Sequence, residues 1–345
     1  MRPSARPLLP DRPENWDPMT TTETAQKPPS PTPTPAGTQV KAKQRLGDRV
    51  FTGTALGAGV IILLVLAAIA VFLVIQSIPA FAPDTTDNHI LRGESFWVYV
   101  GPLIFGTVWA SIIALILAAP LSIGIALFIS HYAPRKLAPS LGYVIDLLAA
   151  VPSVVYGLWG GIVFAGFLQP FYVWLNENLG WIPLFAGVVS PTGKTILTAS
   201  LVLAVMVIPI MTAICREVFL QAPTLHEEAA LALGATRWEM IRMAVLPFAR
   251  GGMVSAAMLA LGRALGETMA VTMVLSVSGV ISFELLTSTN PTPIPANIAL
   301  SFPEAHDLGV NTLIATGLIL FIVTFAVNAF ARWIVARRAE FSGAN

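Results

Sequence analysis

The sequence predicts an all-α fold: a polytopic membrane helix bundle with six transmembrane helices and both termini in the cytoplasm. Three observations predict it: the apolar composition, six long apolar segments, and the distribution of basic residues between loops. Apolar residues make up 55% of the 345 residues and charged residues 11%, whereas soluble domains carry roughly 25% charged residues. With a mean hydropathy of +0.74, much of the chain must have lipid as its solvent. The net charge of +1 gives no indication of a nucleic-acid partner.

The first 40 residues differ in composition from the rest of the chain. They hold ten of the 27 prolines, together with serine, threonine and scattered charges. Such a segment cannot bury enough apolar surface to fold, so residues 1–40 are predicted to be a disordered, proline-rich cytoplasmic tail. The transmembrane domain is predicted at 41–340, and it contains a long cytoplasmic loop at 221–250.

Six segments are long and apolar enough to cross a membrane, which takes about 20 residues. The first is too long for the apolar core of a signal peptide, which has about 7–15 residues, so we expect an uncleaved span. Pro120 and Pro152 predict kinks in the second and third spans, and Pro152 leaves the carbonyl of Leu148 without its helical partner. The predicted spans are Val50–Ile75, Tyr99–Ser130, Leu141–Leu168, Thr195–Phe219, Met253–Val277 and Asn311–Val335.

The basic residues predict the orientation of the bundle. The loops on the opposite, external side hold only Arg92 and Lys194, together with several carboxylates. This is the positive-inside distribution of a membrane protein whose two termini are cytoplasmic. The basic residues assigned to the cytoplasmic side are Lys41, Lys43, Arg45, Arg49, Arg135, Lys136, Arg216, Arg237, Arg242, Arg250, Arg332, Arg337 and Arg338.

The cytoplasmic loop at 221–250 is predicted to hold two short helices that lie across the end of the bundle. Two threonine–glutamate pairs have the spacing of capping boxes at helix starts. The first helix should end at Gly234, because glycine adopts the left-handed cap conformation without strain. The second should end at Pro247. The two pairs are Thr224 with Glu227 and Thr236 with Glu239.

This loop resembles the EAA loop of binding-protein-dependent ABC importer permeases. The residues that carry the resemblance are Glu228, Ala229 and Ala230, followed by Gly234 and a helix leading to Pro247. In that family the loop contains a coupling helix that sits in a groove of the ATPase subunit. The family prefers isoleucine at the position of Ala244, and a capped hairpin lying on the membrane surface is the alternative interpretation. The resemblance implies a type I ABC importer permease fold and assigns ATPase coupling to Glu227, Glu228, Ala229, Ala230 and Gly234.

No nucleotide site or metal site is expected in this chain. Gly193-Lys194-Thr195 ends like a phosphate-binding loop, but five residues separate Gly187 from Gly193 where the motif needs four. The segment also lies on the predicted outer side, and no strand precedes it. We therefore expect ATP to be hydrolysed by another chain and no cofactor in this one. The four histidines lack metal-ligand spacing.

Arg263 and Glu267 lie within the predicted fifth span. At 1.5 Å per residue from Gly251, Arg263 lies about 18 Å into the helix, near the bilayer centre, where a charge costs roughly 2.5–3.5 kcal/mol. Glu267 follows four residues later, so both side chains should share a helix face and pair. A guanidinium binds two oxygens of a tetrahedral oxyanion at once, which predicts an anion pathway at Arg263 gated by Glu267. A purely structural ion pair is the alternative. Gly262 and Gly266 should let another helix approach closely.

The stretch 262–270 is similar to the fifth-helix signature of the PstC family of phosphate permeases. Residues 152–160, Pro-Ser-Val-Val-Tyr-Gly-Leu-Trp-Gly, are similar to its third helix. The resemblance covers residues 45–340 and implies that Arg263 and Glu267 are needed for phosphate passage. Ser153 and Tyr156, beside the expected kink, are further candidates for the substrate pathway. Hydrogen bonding to neighbouring helices is their alternative role.

The same resemblance implies partners and a mechanism. The partners are a second, related permease (PstA-like), two copies of an ATP-binding subunit (PstB-like) that bind ATP and magnesium, and an external phosphate-binding protein (PstS-like). The expected function is phosphate import across the inner membrane by alternating access, in contact with membrane lipid. Because phosphate carries about one to two negative charges, we expect a second arginine from the partner permease. A permease for molybdate or sulfate, an ion-coupled secondary transporter and a non-transporting scaffold are the alternatives.

Overall fold

The structure, a computed structural model, describes residues 46–81 and 88–339, so the predicted tail at 1–40 lies outside the described residues. Within them the chain has twelve α-helices, joined in places by 3₁₀ and π-helical turns, and two short parallel strands. The helices are α1 Leu46–Ser77, α2 Phe96–Leu127, α3 Ala138–Ala149, α4 Ser153–Trp159, α5 Ala165–Leu179, α6 Ile196–Leu220, α7 Thr224–Ala232, α8 Arg237–Met240, α9 Leu246–Leu265, α10 Met269–Val274, α11 Ile294–Ser301 and α12 Leu308–Ala339. The strands are β1 Val277–Ser278 and β2 Asn290–Pro291, with Val277 opposite Asn290.

Six helical stretches in this part of the chain are long and apolar enough to span a membrane, which confirms the predicted number. A π-helical turn joins α4 to α5 in the third stretch, and another joins α8 to α9 in the fifth. The stretches, called spans one to six below, are Val50–Phe81, Phe96–Tyr132, Ser153–Leu179, Ile196–Leu220, Arg237–Leu265 and Leu308–Trp333.

By its internal contacts the chain divides after residue 60 into two units. In the first unit, the described residues 46–60 belong to α1, and their described side chains are largely exposed. The second unit contains α2 to α12 and both hydrophobic core clusters found among the described residues. Apolar side chains exposed along a helix whose backbone groups bond to one another are compatible with direct contact with lipid.

α6 is the central helix of the second unit, and α2 packs along it. α2 carries small buried residues at every fourth position, which places them in one stripe along the helix. From this stripe the Ser122 hydroxyl donates a hydrogen bond to the carbonyl of Ile208 on α6, 3.3 Å away. Small residues let helix backbones approach closely, and this van der Waals contact holds helices together in lipid. The stripe consists of Gly106, Ala110, Ala114, Ala118, Ser122 and Ala126.

The third span begins later than predicted, because the chain breaks before Pro152 instead of bending there. α3 ends at Ala149 and α4 begins at Ser153, so the segment predicted as one helix is two. The carbonyl of Leu148, to which Pro152 cannot donate, accepts a hydrogen bond from the Tyr156 hydroxyl at 3.0 Å. The same carbonyl also accepts a hydrogen bond from the Val151 N–H at 3.3 Å, so the tyrosine adds a second partner to this backbone group at the break.

The fifth span differs from the prediction at both ends. It begins at Arg237, well before the predicted Met253. Pro247 does not end this helix, because it falls in the first turn of α9, where a proline is tolerated. The span ends at Leu265, and α10 starts separately at Met269. The prediction of one continuous helix through this region is therefore wrong.

Glycines bring the two interrupted spans together. A Cβ atom placed on Gly157 of α4 would come within 2.6 Å of the Cα of Ala270 on α10, so only glycine allows this contact.

The close approach of another helix that was predicted at Gly262 and Gly266 is not observed within the described part of the chain. A Cβ added to Gly262 would meet no atom within 4 Å, and one added to Gly266 would meet only the Gly262 carbonyl oxygen at 3.6 Å.

We predict that Tyr156→Phe lowers the stability of the protein by about 1 kcal/mol, because the Leu148 carbonyl loses one of its two hydrogen bonds. Tyr143→Phe is the matched control, since the Tyr143 side chain lies on α3 and is 66% exposed. Thermal unfolding of both purified variants in the same detergent measures the difference. Equal unfolding midpoints for the two variants would show that the Tyr156 hydroxyl does not stabilise the break.

Candidate functional site

Arg263 lies in the last turn of α9, next to the interruption of the fifth span. Its side chain is exposed and lines an open cavity of about 1020 Å³ formed by α6, α9 and α12. A cation is favoured at this end of a helix, because the free carbonyls there carry partial negative charge. The cavity is lined by Ile210, Val254, Ser255, Met258, Leu259, Gly262, Arg263, Asn328 and Arg332. Most of its wall is therefore apolar, and its lining residues include arginines but no carboxylate.

Glu267 does not pair with Arg263, contrary to the sequence prediction. Because α9 ends at Leu265, the spacing of four residues no longer places both side chains on one helical face. Glu267 is 9% exposed, and its carboxylate accepts a hydrogen bond from the backbone N–H of Ala270 at 3.1 Å. The carboxylate thus caps the first turn of α10. Among the described residues Arg263 has no ion-pair partner, so its guanidinium faces the cavity with its charge uncompensated.

Tyr156 lies close to Arg263, whereas Ser153 contributes nothing to the cavity wall. The guanidinium is near enough to interact electrostatically with the Tyr156 hydroxyl. That hydroxyl already donates its hydrogen bond to Leu148. Ser153 is the half-buried first residue of α4. Neither residue lines the cavity. Tyr156 thus lies within electrostatic range of Arg263 and has a structural role at the break.

α7 carries most of the residues that the sequence assigned to ATPase coupling, and it presents them outward. Glu228 and Ala229 are exposed and Ala230 is half-buried, while no residue of α7 is buried. Leu233, which follows the helix, is 90% exposed. Gly234 has a φ angle of +89°, which confirms the predicted left-handed cap. A short helix with exposed apolar residues beside it is suited to contact with another protein.

One of the two predicted capping boxes is confirmed and the other is wrong. The Thr236 hydroxyl accepts a hydrogen bond from the Glu239 N–H at 3.3 Å, and the Glu239 carboxylate accepts one from the Thr236 N–H at 2.8 Å. At α7, Pro223 occupies the cap position and Thr224 is already helical, without a side-chain cap. Glu227 is therefore free for a different contact.

Glu227 contacts the second span through His131. The Nε2 atom of His131 lies 3.6 Å from Oε1 of Glu227, and both side chains are largely covered, at 10% and 21% exposure. The Nδ1 atom of His131 lies 2.7 Å from the Ser130 hydroxyl. His131 belongs to the π-helical turn Phe128–Tyr132 that ends the second span. The contact ties α7 to a membrane span, while the neighbouring Glu228 stays exposed.

Three residues of this site were not singled out by the sequence. His131 has no histidine partner at metal-ligand spacing, and the sequence indicates no other role for it. The sequence indicates no function for Asn328, and it identifies Arg332 only as a basic residue on the cytoplasmic side. The available signal was the spacing of four residues between Asn328 and Arg332, which places two polar side chains on one face of an otherwise apolar helix.

The segment that resembles a phosphate-binding loop has a structural role. Thr195 is fully buried and caps α6, since its hydroxyl accepts a hydrogen bond from the Thr198 N–H at 3.2 Å. In the described ranges, 46–81 and 88–339, no three histidine, cysteine or carboxylate side chains come together as a metal site would require.

Known proteins resemble this chain in sequence and in fold. Residues 120–340 match the family described as binding-protein-dependent transport system inner membrane component. The chain is 44% identical over 305 residues to phosphate transport system permease protein PstC 2 of Mycobacterium tuberculosis, across 86% of this chain and 94% of the relative. It is 40% identical over 311 residues to PstC of Mesorhizobium japonicum, across 87% and 93% of the two chains.

A solved structure supports the fold. The crystal structure of a bacterial ABC transporter involved in the import of the acidic polysaccharide alginate matches with a TM-score of 0.54 and 18% identity, across 84% of this chain and 96% of that chain. This likeness and the six spans confirm the predicted permease fold of an integral membrane protein. The chain belongs to the binding-protein-dependent transport system inner membrane components and, within them, to the PstC permeases of ABC transporters.

Proposed function

We propose that this chain moves inorganic phosphate across the cytoplasmic membrane as one permease subunit of an ATP-driven importer, by alternating access. The observation that carries the proposal is the Arg263 guanidinium, which lines a cavity of about 1020 Å³ at the interruption of the fifth span, without an ion pair among the described residues. The relatives named as phosphate transport permeases support phosphate as the substrate.

The chemistry of phosphate suits this guanidinium. Its planar N–H donors can bind two oxygens of a tetrahedral anion at once, and the apolar walls strengthen that attraction by excluding water. Discontinuous membrane helices recur at the substrate sites of transporters, because their free ends offer polar groups within the bilayer. The interruption between α9 and α10 gives Arg263 this setting.

The structure lacks the Arg263–Glu267 pair on which the predicted gate depends, and we infer a different role for Glu267. Its carboxylate caps α10 through Ala270, and the glycine contact at Gly157 holds the same residue against α4. Because the carboxylate bonds to Ala270 and not to Arg263, it does not compete with an anion for the guanidinium. We infer that Glu267 fixes the geometry of the pathway and that Arg263 provides the contact with phosphate.

The proposal includes the rest of the transporter. A second, related permease would close the open side of the cavity, and an external phosphate-binding protein would deliver phosphate. Two ATP-binding subunits, which bind ATP and magnesium, would contact α7 through Glu228, Ala229 and Ala230. The contact of Glu227 with His131 would transmit their movement to the second span. The chain would lie in the inner membrane with both termini in the cytoplasm.

We predict that Arg263→Gln reduces ATP-dependent phosphate uptake by roughly 100-fold, because a hydrogen bond to a charged group contributes about 1.5–3 kcal/mol. The variant should assemble normally, since the side chain is exposed in this subunit. Uptake of labelled phosphate into proteoliposomes that contain the complete transporter measures the effect.

Arg250→Gln is the control for this experiment, since Arg250 lies on the same helix, outside the cavity, and among the described residues it donates a local hydrogen bond to the Pro247 carbonyl. Normal uptake by Arg263→Gln would refute the role of Arg263. If unlabelled sulfate or molybdate competed as strongly as unlabelled phosphate, the proposal that phosphate is the specific substrate would be refuted. Uptake that survives ATP depletion would indicate an ion-coupled transporter instead.

We predict that the neighbouring glutamates of α7 differ in their effects. Glu228→Lys should remove most of the ATP-binding subunit from the purified complex, because it reverses an exposed charge at the docking surface. Glu227→Gln should leave the complex intact and lower the phosphate imported per ATP hydrolysed, because it weakens the contact with His131. Co-purification and the ratio of uptake to ATP hydrolysis measure the two effects. Loss of the subunit in both variants would contradict the separate role of Glu227.

A further inference from the structure

The cavity at Arg263 contains a second arginine on a different helix. α9 lines the cavity with two neighbouring rows of residues at a spacing of four, Val254–Met258–Gly262 and Ser255–Leu259–Arg263. α12 contributes Asn328 and Arg332, which are also four residues apart and so lie on one face of that helix. Two guanidinium groups and one amide thus interrupt an otherwise mainly apolar wall.

The two cations in this cavity have no counter-charge in the described part of the chain. None of the lining residues is acidic, and neither Arg263 nor Arg332 forms an ion pair with any described residue. The Ser255 hydroxyl donates its hydrogen bond to the Gly251 carbonyl, 2.9 Å away, so it is not a free donor. Two positive charges that share a mainly apolar cavity repel each other, and an anion bound beside either of them reduces this repulsion.

The predicted topology places the two arginines at different depths of the membrane. In that topology consecutive spans run in opposite directions, so α9 carries Arg263 toward the external side, while α12 returns and carries Arg332 toward the cytoplasmic side. Arg263 therefore lies beside the interruption of the fifth span, and Arg332 lies near the inner end of the sixth. The cavity connects the two levels.

We propose that Arg332 and Asn328 form a second binding station for a tetrahedral oxyanion, which receives phosphate from Arg263 on the way to the cytoplasm. This inference rests on the proposed function and extends it. The guanidinium of Arg332 and the amide of Asn328 both donate hydrogen bonds, as phosphate oxygens require. Each station thus offers phosphate one guanidinium group from this chain.

The phosphate group of a lipid could also bind an arginine near the membrane surface. The experiment therefore distinguishes binding of transported phosphate from binding of lipid. The complete transporter carrying Arg332→Gln is reconstituted in vesicles of phosphatidylcholine alone and in vesicles that also contain an anionic phospholipid. We expect phosphate uptake to fall roughly tenfold in both, with assembly preserved. Asn328→Ala should lower uptake less, because it removes a neutral donor, and Arg332→Lys should retain part of the uptake.

Arg250→Gln serves as the control and should take up phosphate normally. Four results would overturn the inference: normal uptake by Arg332→Gln, a loss confined to vesicles with anionic lipid, equal losses in Arg332→Gln and Arg250→Gln, or loss of the second permease from purified Arg332→Gln and Arg332→Lys. The last would indicate that Arg332 pairs with a carboxylate of the partner.

If the unaltered transporter imports no phosphate with ATP, the proposed function itself fails. If it does and Arg332→Gln matches it, only the second station is refuted.

Discussion

A guanidinium group in a membrane span is unfavourable unless something compensates its charge, and the arrangement around Arg263 follows from that constraint. An uninterrupted helix would place Glu267 on the same face as Arg263, and the two charges would neutralise each other. The fifth span instead stops at Leu265. The free carbonyl groups at the end of this span stabilise the positive charge of Arg263. The Glu267 carboxylate accepts a hydrogen bond from the Ala270 N–H on the next helix, α10. Each charge is thus stabilised by a different helix end, and the guanidinium remains available to an anion.

The interruption of the fifth span depends on its neighbours. α4 starts at a second interruption, and Gly157 lets its backbone contact α10 at Ala270, the residue that Glu267 caps. Tyr156 closes the break before α4 by bonding to Leu148, and it lies near Arg263. Contacts between α4 and α10 therefore hold the two interrupted spans together. The His131–Glu227 contact links the proposed docking helix to the second span. α2 of that span packs against α9, the helix that carries Arg263.

Much of the fold could be predicted from the sequence, because lipid imposes a simple requirement on the length and polarity of a span. Six apolar segments gave six spans, Gly234 ended α7, and Thr236 capped the following helix. Prolines were harder to interpret, since their effect depends on their position within a helix. Pro152 separates two helices, whereas Pro247 lies in the first turn of α9 and is tolerated. At α7, Pro223 occupies the N-cap position that Thr224 was expected to occupy.

The site was predicted less well than the fold, because its geometry depends on contacts between distant segments. Arg263 was identified from the cost of its charge alone. The pairing with Glu267 assumed a continuous helix, and nothing local in the sequence showed that Ala270 would compete for the carboxylate. Arg332 lies within the apolar limits of the sixth span, and only the shared cavity connects it with Arg263.

The central claim is that the interrupted fifth span keeps Glu267 away from Arg263 and so leaves the guanidinium for the transported anion. Electron cryo-microscopy of the assembled transporter, with and without saturating phosphate, tests it directly. We expect the Glu267 carboxylate to remain on the Ala270 N–H in both states, with tetrahedral density against the Arg263 guanidinium only when phosphate is present. A direct Arg263–Glu267 ion pair in both states, with phosphate bound elsewhere, would contradict the account.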